Sequence, residues 1–206
     1  MMEYRVANQN VSRETYEKLT DFTDLVRKWT SKINLISPNT VEDIWKRHVV
    51  DSAQIHALAG MDYKHWVDIG SGGGFPGIVI AIIAQEFAPE SAITLIESDQ
   101  RKATFLRTAV RELSINAKII CDRIENTPPQ SADIVSARAL TALSALVPLL
   151  QRHMAPDART VLHKGRRYEQ EIADARKSWS FTLEEHESLT DPESRILVME
   201  GISCAG

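Results

Sequence analysis

The chain has 206 residues, and 43% of them are hydrophobic, which fits one domain with a full apolar core and a small extension. Its formal net charge is −4 and its pI is about 5.9. A chain of this charge repels phosphate on average, so any contact with nucleic acid must come from a local basic patch.

The N-terminal region is predicted to be helical. Its apolar residues recur at spacings of three, four and seven, as on one helix face: Tyr16, Leu19, Phe22, Leu25, Val26 and Trp29. Ser12 is the expected N-cap of this helix. The proline-containing stretch 37–40 interrupts the pattern, and a second helix is predicted over about 41–59, ending at Gly60.

From residue 65, short apolar runs alternate with helical stretches. Strands are predicted at HWVDIG, SAITLIES, AKIICD, ADIVSAR, RTVLHKG, SFTLEEHESL and SRILVMEGI. This alternation predicts an α/β fold with a mostly parallel sheet of about seven strands. The last two strands share a short connection, so one of them should run antiparallel. We expect residues 1–63 to form a helical N-terminal extension that packs on a core formed by 64–206.

The stretch VDIGSGGGFPGIVIAIIA, residues 67–84, joins the first strand of this core to its first helix. In open α/β sheets, ligands bind at the carboxyl ends of the strands, and the first strand–helix loop is the usual place. A P-loop needs a lysine after its last glycine, and this loop has none. The loop is therefore predicted to hold a nucleoside cofactor other than a P-loop triphosphate.

Two patterns fit the glycines. Gly72, Gly74 and Gly77 form a dinucleotide fingerprint, which is weak evidence alone. Asp68, Gly70, Gly72 and Gly74 form Asp-x-Gly-x-Gly-x-Gly, which is typical of Rossmann-like methyltransferases that use S-adenosylmethionine. A dinucleotide brings a pyrophosphate that a nearby acid would repel, whereas Asp68 suits the amino group of S-adenosylmethionine. The second pattern is therefore favoured.

Glu97 ends the next predicted strand, where an acid binds ribose hydroxyls. This feature fits NAD as well as S-adenosylmethionine. The alternative is that Glu97 and Asp99 only cap the helix that begins near Gln100.

Six stretches together resemble the RsmG (GidB) family of bacterial 16S rRNA (guanine-N7) methyltransferases. They are DIGSGGGFPG at 68–77, KWTSKINLIS at 28–37, RHVVDS at 47–52, RKATFLRTAVREL at 101–113, DIVSARAL at 133–140 and LHKG at 162–165. The resemblance covers nearly the whole chain. It implies a Rossmann-like class I fold and S-adenosylmethionine as the cofactor.

The resemblance also implies cofactor contacts at Gly70 and Phe75 in the loop, and at Ile124 and Glu125 after the third strand. Ile124 could pack on the adenine face, or it could belong to the core. Asp122 could instead reach the adenine amino group.

The resemblance marks Arg138, at the end of the fourth strand, as functional. A guanidinium suits the cofactor carboxylate and an RNA phosphate equally well, so both roles stay open. Lys164, Arg166 and Arg167 follow the fifth strand on the same rim, and phosphate contacts are favoured there over plain solvation. Solvated surface is at least as good an interpretation for the other basic residues: Arg101, Lys102, Arg107, Arg111, Lys118 and Arg123.

Basic residues surround Trp29 and Trp45, but core packing is the favoured role of both tryptophans. His48, Asp51 and Ser52 lie within one helix turn, either as a polar cluster that faces the cofactor and helps to position the substrate, or as a local cap network. No metal site is expected, because the other histidines share no ligand spacing with His48.

The predicted function is methylation of N7 of a guanine in 16S rRNA, within the small ribosomal subunit or an assembly intermediate. Guanine N7 carries a lone pair and no proton, so no acid or base residue is expected and the chain has only to position the reactants. The alternatives are a non-catalytic module that binds S-adenosylmethionine or RNA, and an NAD-dependent oxidoreductase. Two isolated cysteines, no signal-peptide core and no apolar stretch of about 20 residues predict a cytoplasmic protein without disulfides or a membrane span. A monomer is expected, although no feature of the sequence fixes the oligomeric state.

Overall fold

The computed structural model describes residues 3–205. Its elements, in chain order, are β1 (Tyr4–Val6), β2 (Gln9–Val11), α1 (Arg13–Thr30), a 3₁₀ turn (Pro38–Thr40), a π-helical segment (Trp45–Val50) that continues into α2 (Asp51–Ala59), β3 (His65–Ile69), α3 (Gly77–Phe87), β4 (Ala92–Ile96), α4 (Gln100–Glu112), β5 (Lys118–Ile120), β6 (Ala132–Arg138), α5 (Leu143–His153), β7 (Met154–Lys164), α6 (Tyr168–Ala175), β8 (Trp179–Glu187) and β9 (Arg195–Cys204).

Seven strands form one sheet in the order β5-β4-β3-β6-β7-β9-β8. The first five of these run parallel, and β9 is antiparallel to both β7 and β8. The strand order reverses between β3 and β6, so the carboxyl ends of these neighbours and the loops after them diverge into a crevice. This is the predicted doubly wound, Rossmann-like α/β sheet, and the short β8–β9 connection gives the expected antiparallel strand.

The first predicted helix is confirmed. Ser12 caps α1, and its hydroxyl accepts a hydrogen bond from the Thr15 N–H at 3.1 Å. The second predicted helix begins later than expected, because a 3₁₀ turn and irregular backbone precede the π-helical segment at Trp45. The β1–β2 hairpin was not predicted, since strands of three residues carry almost no periodic signal.

The residues before β3 share one apolar core with α3 and α4. The Phe22 ring lies 5.1 Å from that of Phe75 and 6.4 Å from that of Phe105. Trp29 packs against Phe105 at 5.6 Å, so core packing rather than base stacking is the role of this tryptophan. The N-terminal helices therefore hold the glycine loop from behind, while the boundary near residue 63 stays a prediction.

No helix within residues 3–205 is both long and apolar enough to span a lipid bilayer.

Candidate active site

A cavity of about 780 Å³ opens at the carboxyl ends of β3, β4 and β6, a size typical of small-molecule sites. Eight of the predicted cofactor- and substrate-site residues line it: His48, Gly70, Gly72, Phe75, Glu97, Ile124, Glu125 and Arg138. The structure therefore brings these predicted residues together at the crevice where the strand order reverses.

The glycine loop forms one wall of this cavity. The N–H groups of Gly70 and Ser71 both donate to the carbonyl oxygen of Ile96, at 2.9 and 3.1 Å, which ties the loop to the end of β4. Gly70 has a φ of +68°, and a Cβ added there would lie 2.7 Å from Leu140 Cδ1. Only glycine combines this backbone with close approach of Leu140. Gly74 does not line the cavity, because its backbone packs behind the loop.

Glu97 lines the cavity and also braces the loop. Its Oε2 accepts a hydrogen bond from Gly72 N–H at 2.7 Å, and its Oε1 accepts one from Asp99 N–H at 2.7 Å. Asp99 is the cap of α4, accepting from the N–H of Arg101 and Lys102. Glu97 is therefore not a helix cap, and a carboxylate has lone pairs left for further donors such as ribose hydroxyls.

Asp68 lies beneath the loop rather than in the cavity, which corrects its predicted contact with the cofactor. Its side chain is fully buried, and Oδ1 accepts a hydrogen bond from Ser136 Oγ at 2.8 Å. Burial raises the pKa of Asp68 to about 7. A Cβ on Gly77 would lie 2.7 Å from Asp68 Oδ2, so this carboxyl group packs directly against the start of α3.

The turn after β5 supplies a second wall. Ile124 is nearly buried and lines the cavity, and its carbonyl oxygen lies 3.1 Å from His153 Nε2. Its side chain also belongs to the apolar core around α5, while its packing on the adenine face stays a prediction. Asp122 does not line the cavity; its Oδ1 accepts from Arg123 N–H at 2.7 Å and shapes the turn. The structure therefore places Asp122 outside the cavity, and its predicted contact with adenine stays a prediction.

Arg138 lines the cavity from the end of β6. Its Nη2 donates to the carbonyl oxygen of Arg47 at 2.7 Å and lies 3.3 Å from Asp51 Oδ2. Its Nη1 is buried and has no hydrogen-bond partner within residues 3–205. A buried guanidinium keeps its charge, so Nη1 is left for an acceptor that residues 3–205 do not supply.

His48 packs its ring against Phe75, with 4.9 Å between the ring centres, and its Nε2 lies 2.9 Å from Thr40 Oγ1. Burial, together with the nearby Arg138, lowers the pKa of His48 to about 3. The imidazole is therefore neutral near pH 7 and is a poor proton acceptor. Ser52 Oγ donates to the His48 carbonyl at 2.6 Å, so Ser52 bonds within its own helix instead of facing the cavity.

Lys164 is buried, and this corrects its predicted contact with RNA phosphate. Its Nζ donates to the Thr141 carbonyl at 2.7 Å and to Glu171 Oε2 at 2.8 Å. Because Thr141 lines the cavity, Lys164 fixes the segment 139–142 at the cavity rim. Arg166 and Arg167 are exposed, do not line the cavity, and form no ion pair in the part of the chain that the structure describes.

Several lining residues were not found from the sequence. Leu35 and Ile36, between α1 and the 3₁₀ turn, form an apolar wall, and the 37% exposed Leu140 lies at the rim. Leu35 and Ile36 could have been found from the sequence, because two adjacent apolar residues are unusual in a solvated loop. Lys102 and Arg123 also line the cavity, although solvated surface was at least as good an interpretation of both.

Within residues 3–205, no three His, Cys, Asp or Glu side chains are grouped as a metal site requires.

Comparison with known proteins gives a family match over most of the chain. The family model GidB, described as rRNA small subunit methyltransferase G, matches residues 15–197. A protein of Cereibacter sphaeroides named ribosomal RNA small subunit methyltransferase G is 50% identical over 203 residues, covering 98% of each chain. A protein of the same name from Ruegeria pomeroyi is 46% identical, covering 94% of this chain and 95% of its own.

Solved structures share the fold at low sequence identity. An O-methyltransferase from Bacillus cereus in complex with SAH gives a TM-score of 0.61 at 14% identity, covering 87% of this chain and 90% of that one. The O-methyltransferase TomG from Streptomyces achromogenes, in complex with SAM, gives 0.59 at 14% identity, covering 89% of each. These neighbours place the sheet in the class I methyltransferase fold. With a family model matched over residues 15–197 and relatives that align from end to end, the chain belongs to the GidB family, rRNA small subunit methyltransferase G.

Proposed function

We propose that the chain transfers a methyl group from S-adenosylmethionine to N7 of a guanine in 16S rRNA. One observation carries the proposal: in a chain of the GidB family, the cavity at the strand-order reversal combines the glycine loop, Glu97, Ile124 and Arg138. The relatives are named for the small-subunit rRNA as substrate, and the structural neighbours include complexes with SAM and SAH.

The donor set of the cavity fits this cofactor. Glu97 offers carboxylate oxygens to ribose hydroxyls, and Ile124 offers an apolar surface to the adenine ring. Arg138 has a guanidinium nitrogen without a partner among residues 3–205, which suits a carboxylate.

Bound S-adenosylmethionine supplies an electrophilic methyl group on a sulfonium. Guanine N7 presents a lone pair, so the chain need not remove a proton. His48 is the histidine that lines the cavity, but burial lowers its pKa to about 3, so it is a poor general base. Its Nε2 also lies within hydrogen-bond distance of Thr40 Oγ1. The residues therefore act by binding and orienting both reactants and by excluding water from the cavity.

The substrate must present its Hoogsteen edge to the cavity. The major groove of an RNA helix is deep and narrow, so the target guanine has to lie in a loop or be splayed out of the stack. Lys102 and Arg123 line the cavity, and Arg166 and Arg167 are exposed on the rim that follows β7. This local positive charge supports an approach of RNA despite the net charge of −4. The proposed setting is the cytoplasm, with a monomer acting on the small subunit or an assembly intermediate.

The test is transfer of labelled methyl from S-adenosylmethionine to small ribosomal subunits that lack the modification, with naked 16S rRNA in parallel. The proposal predicts label in 16S rRNA that depends on the chain. Binding of S-adenosylhomocysteine with no transfer to either substrate would favour the non-catalytic module. Binding of NADH in preference to S-adenosylhomocysteine would refute the proposal altogether.

A further inference from the structure

A buried carboxylate connects four separate elements next to the cavity. Asp51 is 3% exposed at the start of α2. Its Oδ1 accepts hydrogen bonds from Ser188, at 3.2 Å, and from Thr190, both in the connection between β8 and β9. Its Oδ2 lies 3.3 Å from Arg138 Nη2 at the end of β6, and 3.3 Å from His163 Nε2 on β7.

Although His163 Nε2 lies close to Asp51, this nitrogen completes no hydrogen bond within residues 3–205. Burial alone would raise the pKa of Asp51, but His163, Thr190 and Arg138 together hold that pKa below its ordinary value. The carboxylate is therefore charged near pH 7, and its two hydroxyl donors hold it in a fixed orientation.

Arg138 has few other restraints. Its one hydrogen bond within residues 3–205 goes to the Arg47 carbonyl, and the charge of Arg47 itself repels the guanidinium. Without the Asp51 charge, the buried cation would face Arg47 with no counter-ion from the described residues. It would then turn toward solvent and leave the cavity wall, since an unpaired buried charge is strongly unfavourable.

A purely structural role would not require a buried ion pair between Asp51 and Arg138. A well-packed apolar set of the same volume stabilises a core as well as a buried ion pair does. The chain instead keeps a charged pair that ends on a cavity-lining guanidinium, whose Nη1 meets no acceptor in the described part of the chain.

We infer that Asp51 is a positioning residue that holds the Arg138 guanidinium at the cavity wall for an incoming oxyanion. This inference rests on the proposed function. The oxyanion is either the carboxylate of the cofactor or a phosphate of the RNA.

The decisive experiment is a double-mutant cycle on the full chain with Asp51→Asn and Arg138→Gln. Single-turnover methyl transfer with excess enzyme keeps weak variants measurable. Asp51→Asn should lower kcat/KM by about tenfold or more in the wild-type background and by less than about twofold in the Arg138→Gln background. An equal loss in both backgrounds, or no loss in either, would overturn the inference.

The matched control is Asp133→Asn, near the start of β6, the strand that ends at Arg138. Asp133 Oδ2 accepts hydrogen bonds from the N–H groups of Lys64 and His65, at 2.7 and 2.8 Å, away from the cavity. This variant should lose stability and keep kcat/KM. If Asp51→Asn does not fold, Thr190→Val serves in its place, because it removes one hydroxyl donor that orients Asp51. Thr190→Val should lower kcat/KM only when Arg138 is present. An equal loss of kcat/KM in the Arg138→Gln background would overturn the inference.

Two further readouts locate the effect. Asp51→Asn should free the guanidinium of Arg138, so its nitrogen NMR signals should report faster rotation of the group. Unchanged signals would count against the inference, even if the wild type transferred no methyl group. Weaker binding of S-adenosylhomocysteine with unchanged binding of methylthioadenosine, which lacks the carboxylate, would identify the cofactor as the source of the oxyanion. Unchanged binding of both, with weaker binding of ribosomal subunits, would identify the RNA phosphate.

Discussion

Substituting Gly70 by alanine separates backbone strain from loss of the cofactor site. Gly70 has a φ of +68°, where an L-residue costs about 1–2 kcal/mol. The new Cβ would lie 2.7 Å from Leu140 Cδ1, the far end of a flexible side chain, so Leu140 can rotate away at little further cost. For a domain of this size the melting temperature should fall by about 2–8 °C.

Gly201→Ala is the matched control. Gly201 has a φ of +61° and nothing within 4 Å of an added Cβ, and it lies on β9 away from the cavity. Both variants should lose similar stability in thermal unfolding. Because Leu140 lines the cavity, only Gly70→Ala should weaken binding of S-adenosylhomocysteine in calorimetry, by at least about tenfold or 1.4 kcal/mol. Unchanged affinity in Gly70→Ala, or equal loss in both variants, would refute the placement of the cofactor beside this loop.

Further predictions concern charge and stability. The carboxyl group of Asp68 has a pKa of about 7 in the folded chain and of 3.8 in the unfolded chain. The free energy of unfolding should therefore decrease as the pH rises from about 3.8 to about 7. Asp68→Asn should remove this decrease, as measured by urea unfolding across that pH range. His48 has a pKa of about 3 in the folded chain and of 6.5 in the unfolded chain, so the unfolded chain gains a proton first as the pH drops below 6.5. The free energy of unfolding should therefore decrease in this range, and between pH 6.5 and about 4 it should decrease less for His48→Asn than for the wild type. Lys164→Met breaks the buried contacts with the rim and should cost about 1–3 kcal/mol, measured as the free energy of unfolding, and a fully stable variant would contradict this role. Arg166→Ala with Arg167→Ala should leave the melting temperature unchanged and lower the salt slope of rRNA binding by about 1 for each phosphate that the two arginines neutralise; an unchanged slope would exclude their pairing with phosphate.

The fold could be predicted because its signals are local and repeated. The alternation of strands with helices predicted the sheet, and the glycines at 70–74 predicted a ligand site at the end of β3, where the structure has a cavity. The resemblance added Ile124 and Arg138, which lie in separate parts of the chain and which spacing alone could not bring together.

The errors arose where long-range packing decides which way a side chain points. Asp68 and Asp122 were expected in the cavity, but one faces Ser136 beneath the loop and the other shapes a turn. Lys164 looked like an exposed residue beside two arginines. Its partner Glu171 lies one turn into α6, and only the packing of that helix on the rim brings the two charges together.

The residues missed by sequence reasoning share one property: they reach the cavity from distant parts of the chain. Leu35 and Ile36 come from the N-terminal region, and Leu140 folds back over Gly70. Asp51 was noticed only as a neighbour of His48. Its contacts with Arg138 depend on how α2 packs against the ends of β6 and β7, and no periodic pattern encodes that packing.

Methylation at N7 of one guanine in 16S rRNA is tested most directly by locating the methyl group itself. After reaction on unmodified small subunits, borohydride reduction and aniline treatment cut RNA at N7-methylguanosine. We expect a single new cut in 16S rRNA, at a guanine, that requires both the chain and S-adenosylmethionine. Methyl incorporation without an aniline-sensitive site would contradict N7 as the acceptor, and bound cofactor with no incorporation would contradict the enzymatic role itself.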